Sequence, residues 1–253
     1  MSSIVVIGSG NIATCFGKAF HKAGVSIRAV CSQTPLHANV LANELSSKAV
    51  SSFFQLPIDA DFYLLAIKDS AIKDVSDKLN VNGIVLHCSG ITSIDVLNNH
   101  QNFGVIWPVQ TITKNHQLQK NELPLCVEGN NKTITNKIQD LANQISTQVT
   151  VMNFEQRKYA HLAAVISNNL SNHLFDMAAN ILNEHHLPFE ILHSIISETA
   201  RKVQHSLPAE VQTGPAKRND TGTLKQHLEL LKDYPDYAKI YEAISASIIN
   251  QNK

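Results

Sequence analysis

No acidic residue precedes Glu44 in this chain, and no apolar run approaches the ~20 residues that a membrane-spanning helix needs. The second absence argues against a membrane protein. Positive charge is not in excess either. Lys+Arg and Asp+Glu both number 21, which speaks against nucleic acid or an anionic membrane as partner. Cysteine is sparse: Cys15, Cys31, Cys88 and Cys126 are scattered without C-x-x-C spacing. They read as reduced core thiols rather than a disulfide framework or a zinc site. The twelve histidines show no H-E-x-x-H, and His185-His186 sits at an expected helix end, where cations are favoured. No metal is expected. Repeats and low-complexity tracts are lacking, and a first strand beginning at residue 3 leaves no room for a signal peptide. The expected location is cytoplasmic. The 253 residues suit one large or two modest domains with a real core.

What is present begins at once. Ser3-Ile4-Val5-Val6-Ile7 has the β-branched composition of a strand buried on both faces. It runs into Gly8-Ser9-Gly10-Asn11-Ile12-Ala13 and then into a helical pattern that ends at Gly24. This is G-x-G-x-x-A between strand and helix, the context a dinucleotide fingerprint requires. Gly8 permits the tight turn, Gly10 lets a pyrophosphate approach the backbone, and Ala13 lets helix and strand pack closely. The helix start then offers N–H groups and a positive dipole end to phosphates, which makes Gly8, Ser9, Gly10, Asn11 and Ile12 candidate cofactor ligands.

Residues 25–31 read as strand two, followed by the polar turn Ser32-Gln33-Thr34-Pro35. An NAD site usually carries Asp or Glu here to accept the ribose hydroxyls. With no acid before Glu44, Ser32, Gln33 and Thr34 are instead available to a 2′-phosphate, with Arg28, His37 or Lys48 as sources of charge. The expected cofactor is NADP, with NAD the less favoured alternative.

Further strands are expected near 48–51, 61–67, 84–87, 104–107, 123–128 and 149–151, with helices over about 36–46, 68–79 and 132–146. Asp69 or Ser70 is a candidate cap for the second of these. Ligands of open α/β sheets lie beyond the carboxyl ends of the strands. That rule gathers Lys68-Asp69, His87-Cys88-Ser89-Gly90 and Pro108-Val109-Gln110-Thr111 around one crevice, and Lys68, Asp69 and Ser89 join the expected cofactor ligands. His87-Cys88-Ser89 also invites a nucleophile reading, but neighbours on a strand point to opposite faces and no orienting acid is in sight.

From Asn153 the period turns helical, so the domains are expected at 1–152 and 153–253. A long helix over about 154–185 carries a polar line, His161, Asn168, Asn172 and Asp176, on one face. Leu162, Ala163, Ile166, Leu170, Leu174 and Met177 beside it look like core. Residues 206–222 read as a structureless loop between further helices, and loops of that length are usually functional. Arg218, within it, is suited to gripping a substrate carboxylate bidentately.

These motifs together resemble a known pairing: a Rossmann-like NADP-binding domain followed by a helical domain of unknown function, family 2520. The matching stretches are Gly8-Ser9-Gly10-Asn11-Ile12-Ala13, His87-Cys88-Ser89-Gly90, Pro108-Val109-Gln110-Thr111, Glu155-Gln156-Arg157, His161-Leu162-Ala163-Ala164-Val165, Asn168, Asn172-His173-Leu174, Glu198-Thr199 and Gln212-Thr213-Gly214-Pro215-Ala216. The family is distantly similar to pyrroline-5-carboxylate reductases and β-hydroxyacid dehydrogenases, which dimerise through a helical C-terminal domain. The resemblance implies an α/β fold: a Rossmann doubly wound sheet, then an all-α domain like the C-terminal one of 6-phosphogluconate dehydrogenase. It also implies a homodimer and nicotinamide-dependent redox chemistry, but supplies no substrate. One departure matters. β-Hydroxyacid dehydrogenases carry a catalytic Lys one turn before an Asn on this long helix, whereas the position four before Asn168 is Ala164.

The expectation is an NADP-dependent oxidoreductase acting on a small polar, carboxylate-bearing molecule in the interdomain cleft, with His161, Asn168 and Arg218 as catalytic candidates. The rival is a non-catalytic NADP(H)-binding sensor or assembly protein.

Overall fold

The structure, a computed structural model, describes residues 2–113 and 119–251. Strand β1 (Ser3–Ile7) is flanked on both sides by parallel neighbours, β2 (Ser26–Cys31) and β4 (Phe62–Leu65). Its Ile4, Val5 and Val6 are wholly buried, as a central strand covered on both faces demands. Adding β3 (Lys48–Val50), β5 (Ile84–His87), β6 (Phe103–Pro108), β7 (Leu125–Gly129) and β8 (Val149–Val151) gives one sheet in the order β3-β2-β1-β4-β5-β6-β7-β8. All pairings are parallel except β6 with β7, which run antiparallel. Strand composition located these elements; it carried no information on that reversal.

Helices α1 (Asn11–Lys22), α2 (Pro35–Glu44) and α4 (Lys132–Asn143) cover one face of the sheet with Phe16, Phe20, Leu41 and Ile138. The other face holds Val5, Tyr63, Leu65, Ile72, Val85 and Leu97, beneath the short α3 (Ile72–Ser76). The helix expected over 68–79 is thus shorter, a 3-10 turn at Asp69–Ala71 running into α3. Neither Asp69 nor Ser70 caps it: no side-chain cap bond forms, and the Asp69 carboxylate accepts from Ser89 instead. The chain order reverses between β1 and β4. That is the switch point at which α/β sheets open a crevice beyond their carboxyl ends.

Beyond β8 every regular element among the described residues is helical. Asn153 and Gln156 form a reciprocal capping box that starts α5 (Phe154–Ala164). A π-helical segment (Val165–Leu170) follows, then α6 (Ser171–Glu184). The π turn breaks the uniform 100° step on which the alignment of His161 with Asn168, Asn172 and Asp176 rests. Such turns often mark functional positions. The chain divides into two compact units, residues 1–167 and 168–253.

In the second unit α7 (His193–Val203), α8 (Pro208–Val211), α9 (Thr221–Leu230) and α10 (Pro235–Gln251) complete the fold. The stretch expected to be a structureless loop therefore holds α8, and its end is fixed by Asp220, which caps α9 by accepting from Thr223 N at 3.1 Å. Polar aromatic contacts tie these helices together, including His227 Nδ1 to Tyr241 Oη at 2.7 Å. Apolar burial is thin: among the described residues of this unit only Met177, Ala216 and Leu231 are buried hydrophobics. Leu162, Ile166, Leu170 and Leu174, expected in the core, are exposed at 53%, 53%, 54% and 38%. The helical character of this stretch was read correctly, but neither the π turn within it nor the destination of its apolar face, which stays exposed among the described residues. Among the described residues no helix is long and apolar enough to cross a membrane.

Candidate active site at the carboxyl edge of the sheet

The fingerprint loop is built as its residue types require. Gly8 has φ +120°, and a β-carbon there would lie 2.2 Å from the Ala66 carbonyl oxygen, so only glycine fits. Backbone bonds Gly8 N to Cys31 O and Ala66 N to Ile7 O, both 2.8 Å, tie the start of the loop to the end of β2 and the end of β1 to the residue after β4. Gly10 differs: a β-carbon there would meet nothing within 4 Å. It caps α1 without a side-chain bond, and no acidic residue stands in the first turn. The N–H groups of that turn therefore face an open, uncharged cradle of the kind a pyrophosphate fills.

Asn11 reaches across the crevice, its Nδ2 donating to Ile112 O at 2.9 Å. Ser9 Oγ and Ser32 Oγ share a hydrogen bond of 2.8 Å, joining the fingerprint to the turn after β2. Gln33 and Thr34 are exposed beside it. A cavity of about 170 Å³ adjoins them, lined by Ser9, Thr14, Lys18, His37, Leu41 and Glu44. Of the three cations weighed for a 2′-phosphate, Arg28 is paired with Asp59 at 3.3 Å, and Lys48 opens the edge strand β3 opposite Ala29. His37 is the one that faces this cavity.

A wider opening of about 580 Å³ lies at the amino ends of β1, β4 and β5, lined by Asp59, Asp61, Asn82, Gly83, Lys137 and Asp140. Topology puts ligand chemistry at the other edge of the sheet, where the glycine cradle is.

Beyond β4 and β5 the expected crevice residues do meet. Ser89 Oγ donates to Asp69 Oδ2 at 2.7 Å, lies 2.8 Å from Thr92 Oγ1, and accepts from the amides of Ile91 and Thr92. Lys68 is exposed alongside. His87 is completely buried, and its Nδ1 accepts from Ser89 N at 3.1 Å, which leaves the proton on Nε2. Burial, then the charge of Arg157, lowers its pKa to about 3, and the Ser93 backbone offsets only part of this without reaching hydrogen-bond geometry at Nε2. His87 is thus a neutral structural imidazole. Cys88 is no nucleophile either, because burial and Asp69 push its thiol far above the usual range.

His161, on α5, lies against the same loop. Its ring stands 5.7 Å from Trp107, tilted 43°. A β-carbon on Gly90 would come within 2.6 Å of His161 Cδ2 and 2.7 Å of Trp107 Cε2. Gly90, Trp107 and His161 therefore form one close-packed corner at the carboxyl edge of the sheet. Behind it Arg157, wholly buried, is ion-paired with Glu128 and donates to Thr92 O at 2.7 Å. Glu128, Trp107 and Thr92 escaped the sequence reading because nothing local distinguishes them. Arg157 carried no distinguishing signal either, standing between Gln156 and Lys158 in a polar turn of helix. Asn168 and Arg218 belong to the second unit, where Arg218 is exposed and its backbone N donates to Gly214 O at 3.3 Å. Among the described residues no three His, Cys, Asp or Glu side chains gather as metal ligands would.

Comparison with known proteins fits this geometry. Residues 3–89 match the family described as NADP oxidoreductase coenzyme F420-dependent, and residues 123–248 match the domain of unknown function DUF2520. The chain is 32% identical to BF3122 of Bacteroides fragilis, assigned as an NADP oxidoreductase, over 98% of both chains with a TM-score of 0.89. The chain belongs to this NADP oxidoreductase family. It also has the fold of a 1-pyrroline-5-carboxylate reductase from Streptococcus pyogenes (15% identity, 98% of both chains, TM-score 0.68). An imine reductase from Myxococcus stipitatus, solved with NADP+, is equally similar (14% identity, 97% of this chain and 92% of that one, TM-score 0.68). No curated protein matches the chain. Within the family, the glycine cradle is the part whose purpose the fold explains most directly.

Proposed function

We propose that the protein is an NADP(H)-dependent oxidoreductase that reduces or oxidises a small polar, carboxylate-bearing substrate. The observation that carries this is the Gly10 cradle at the start of α1, open where a side chain would stand and free of acidic neighbours. Gly8 to Ile12 would hold the pyrophosphate, with Lys68, Asp69 and Ser89 lining the crevice beyond β4 and β5. Ser32, Gln33 and Thr34 would receive the 2′-phosphate, with His37 adding charge from the adjoining cavity. That set has no acid of its own to accept ribose hydroxyls, and Glu44, the acid of the adjoining cavity, is paired with Lys18 at 3.0 Å, which favours NADP over NAD.

The cofactor supplies or accepts a hydride when bound. The chain's own part is to hold substrate and to move one proton. His161 is the group suited to that proton, because an imidazole can both give and take one and this ring sits at the carboxyl edge of the sheet, against Gly90 and Trp107. Ala164 stands where related dehydrogenases carry lysine, so no ammonium is available at that position to protonate a developing alkoxide. Reduction of a C=N bond, already basic at nitrogen, suits that arrangement. Arg218 would grip the substrate carboxylate and Asn168 would hydrogen-bond beside it. We take residues 1–152 as the cofactor-binding part and 153–253 as the helical part that pairs two copies into a homodimer, acting in the cytoplasm. The exposed apolar helix faces support the dimer.

A second reading, a sensor that binds NADP(H) without turnover, is favoured by the same Ala164. Calorimetric titration of the full chain with NADPH tests what both readings share. Saturable binding at one site per chain is expected, and no binding would remove both.

A further inference from the structure

Helix α5 has an unusual seat. Among its side chains only Arg157, a cation, is buried; its apolar residues Tyr159 and Leu162 are 72% and 53% exposed. A helix that lies on a sheet is normally held by an apolar stripe. Among the described residues of α5, Ala160 packs against the small apolar cluster of Val105, Trp107 and Cys126, and the half-buried Phe154 ring lies against Arg157 itself, 5.4 Å from its guanidinium carbon. The orientation of α5 about its own axis is therefore left to polar contacts, and these converge on two residues. One carboxylate oxygen of Glu128 accepts from Phe154 N at 3.2 Å, at the first turn of the helix. The other is paired with Arg157. The second arm of the Arg157 fork donates to Thr92 O, and Thr92 is tied through its hydroxyl to Ser89.

His161 is one turn further along the same face of α5, four residues beyond Arg157. We propose that Arg157 and Glu128 are positioning residues for His161: their ion pair and the bond to Thr92 set the rotation of α5 that lays the His161 ring against Gly90 and Trp107. A guanidinium suits the task better than an ammonium. Its planar fork fixes two directions at once, toward a carboxylate and a carbonyl. Displacements of about 1 Å at a reacting group can cost on the order of a hundredfold in rate, so a fixed rotation has functional value that a loosely seated helix would forfeit. This inference rests on the reading of His161 as the proton-transfer group.

Trp107 is the only tryptophan in the sequence, which makes the arrangement observable without a substrate. His161 covers one side of the nearly buried Trp107 ring, so His161→Ala should red-shift the Trp107 emission and raise its quenching by acrylamide severalfold. Glu128→Gln should reproduce about half of that rise or more, and Glu128→Gln combined with Arg157→Met should reproduce all of it, with no further rise when His161→Ala is added. Circular dichroism and urea unfolding check in parallel that each variant folds cooperatively. Quenching as low in the double variant as in the natural protein would overturn the proposal whatever happened to the unfolding midpoint, because the pair would then be merely structural. So would unchanged quenching in His161→Ala. Should the double variant not fold, Glu128→Gln alone decides. Turnover that survives in His161→Ala would sink the catalytic reading, and the fluorescence result would then stand only as evidence of how α5 is seated.

Discussion

Gly8 and Ala66 stand so close that a β-carbon on the first would lie 2.2 Å from the carbonyl oxygen of the second. Two residues on, Gly10 faces nothing within 4 Å. One fingerprint glycine therefore serves the fold and the other serves the ligand, and they can be separated. Gly8→Ala, clashing with backbone at φ +120°, should cost several kcal/mol, of the order of 3 or more, and yield little folded protein. Gly10→Asp should leave the urea-unfolding midpoint nearly unchanged and abolish NADPH binding by calorimetry. Unchanged NADPH affinity in Gly10→Asp would remove the cofactor assignment.

His87 gives a pH dependence whose sign is fixed. Its folded pKa, about 3, lies below the ordinary value of 6.5, so between these limits the unfolded chain takes up a proton that the folded chain refuses. Stability should therefore fall as pH drops below about 6.5, by at most about 1.4 kcal/mol per pH unit from this group. His87→Gln keeps an acceptor for Ser89 N and cannot titrate. Subtracting its urea-unfolding curve series from that of the natural protein should isolate this slope, and equal slopes would refute it.

Cofactor preference follows from what surrounds the turn after β2. NADP(H) should bind at least about tenfold more tightly than NAD(H), the equivalent of ~1.4 kcal/mol. The margin should narrow in His37→Ala and widen in Gln33→Arg, which adds a guanidinium beside the expected 2′-phosphate. Equal affinities for the two nucleotides in the natural protein would overturn the preference.

The second unit predicts its own partner. Leu174, Ile191 and Ile195 are 38%, 56% and 63% exposed in a unit with little apolar core. Light scattering at micromolar concentration should report a dimer, and Ile195→Glu should shift it toward monomer or cause aggregation. A monodisperse monomer of the natural protein would contradict the homodimer.

How legible all this is from sequence depends on the range of the forces involved. β1, β5 and β8 are readable to the residue, because β-branched runs and their punctuation are local. That the stretches holding Asp69 and Ser89 lie at one edge is legible too, since strand ends converge wherever a parallel sheet forms; that Asp69 accepts from Ser89 instead of capping the next helix is not. The antiparallel entry of β7 is not legible, for it depends on pairing partners distant in sequence. Nor is the π segment at Val165–Leu170, where composition still looks α-helical. The corner made by Gly90, Trp107 and His161 joins three stretches separated by up to 71 positions in the chain, and only the fold brings them together. His161 was visible as a lone histidine among small residues; Glu128, the acid behind it, was an unremarkable end of a strand.

The most direct test of the oxidoreductase reading is NADPH oxidation followed at 340 nm against a panel of cyclic imines, keto acids and aldehydes, some bearing carboxylates. A carboxylate-bearing member should consume NADPH. With that substrate, His161→Ala should lower kcat by about 10²–10⁴-fold with cofactor affinity little changed. Arg218→Ala should chiefly raise KM, by about ten- to a hundredfold. Tight NADPH binding without oxidation by any member of the panel, or a His161→Ala variant as fast as the natural protein, would contradict the account.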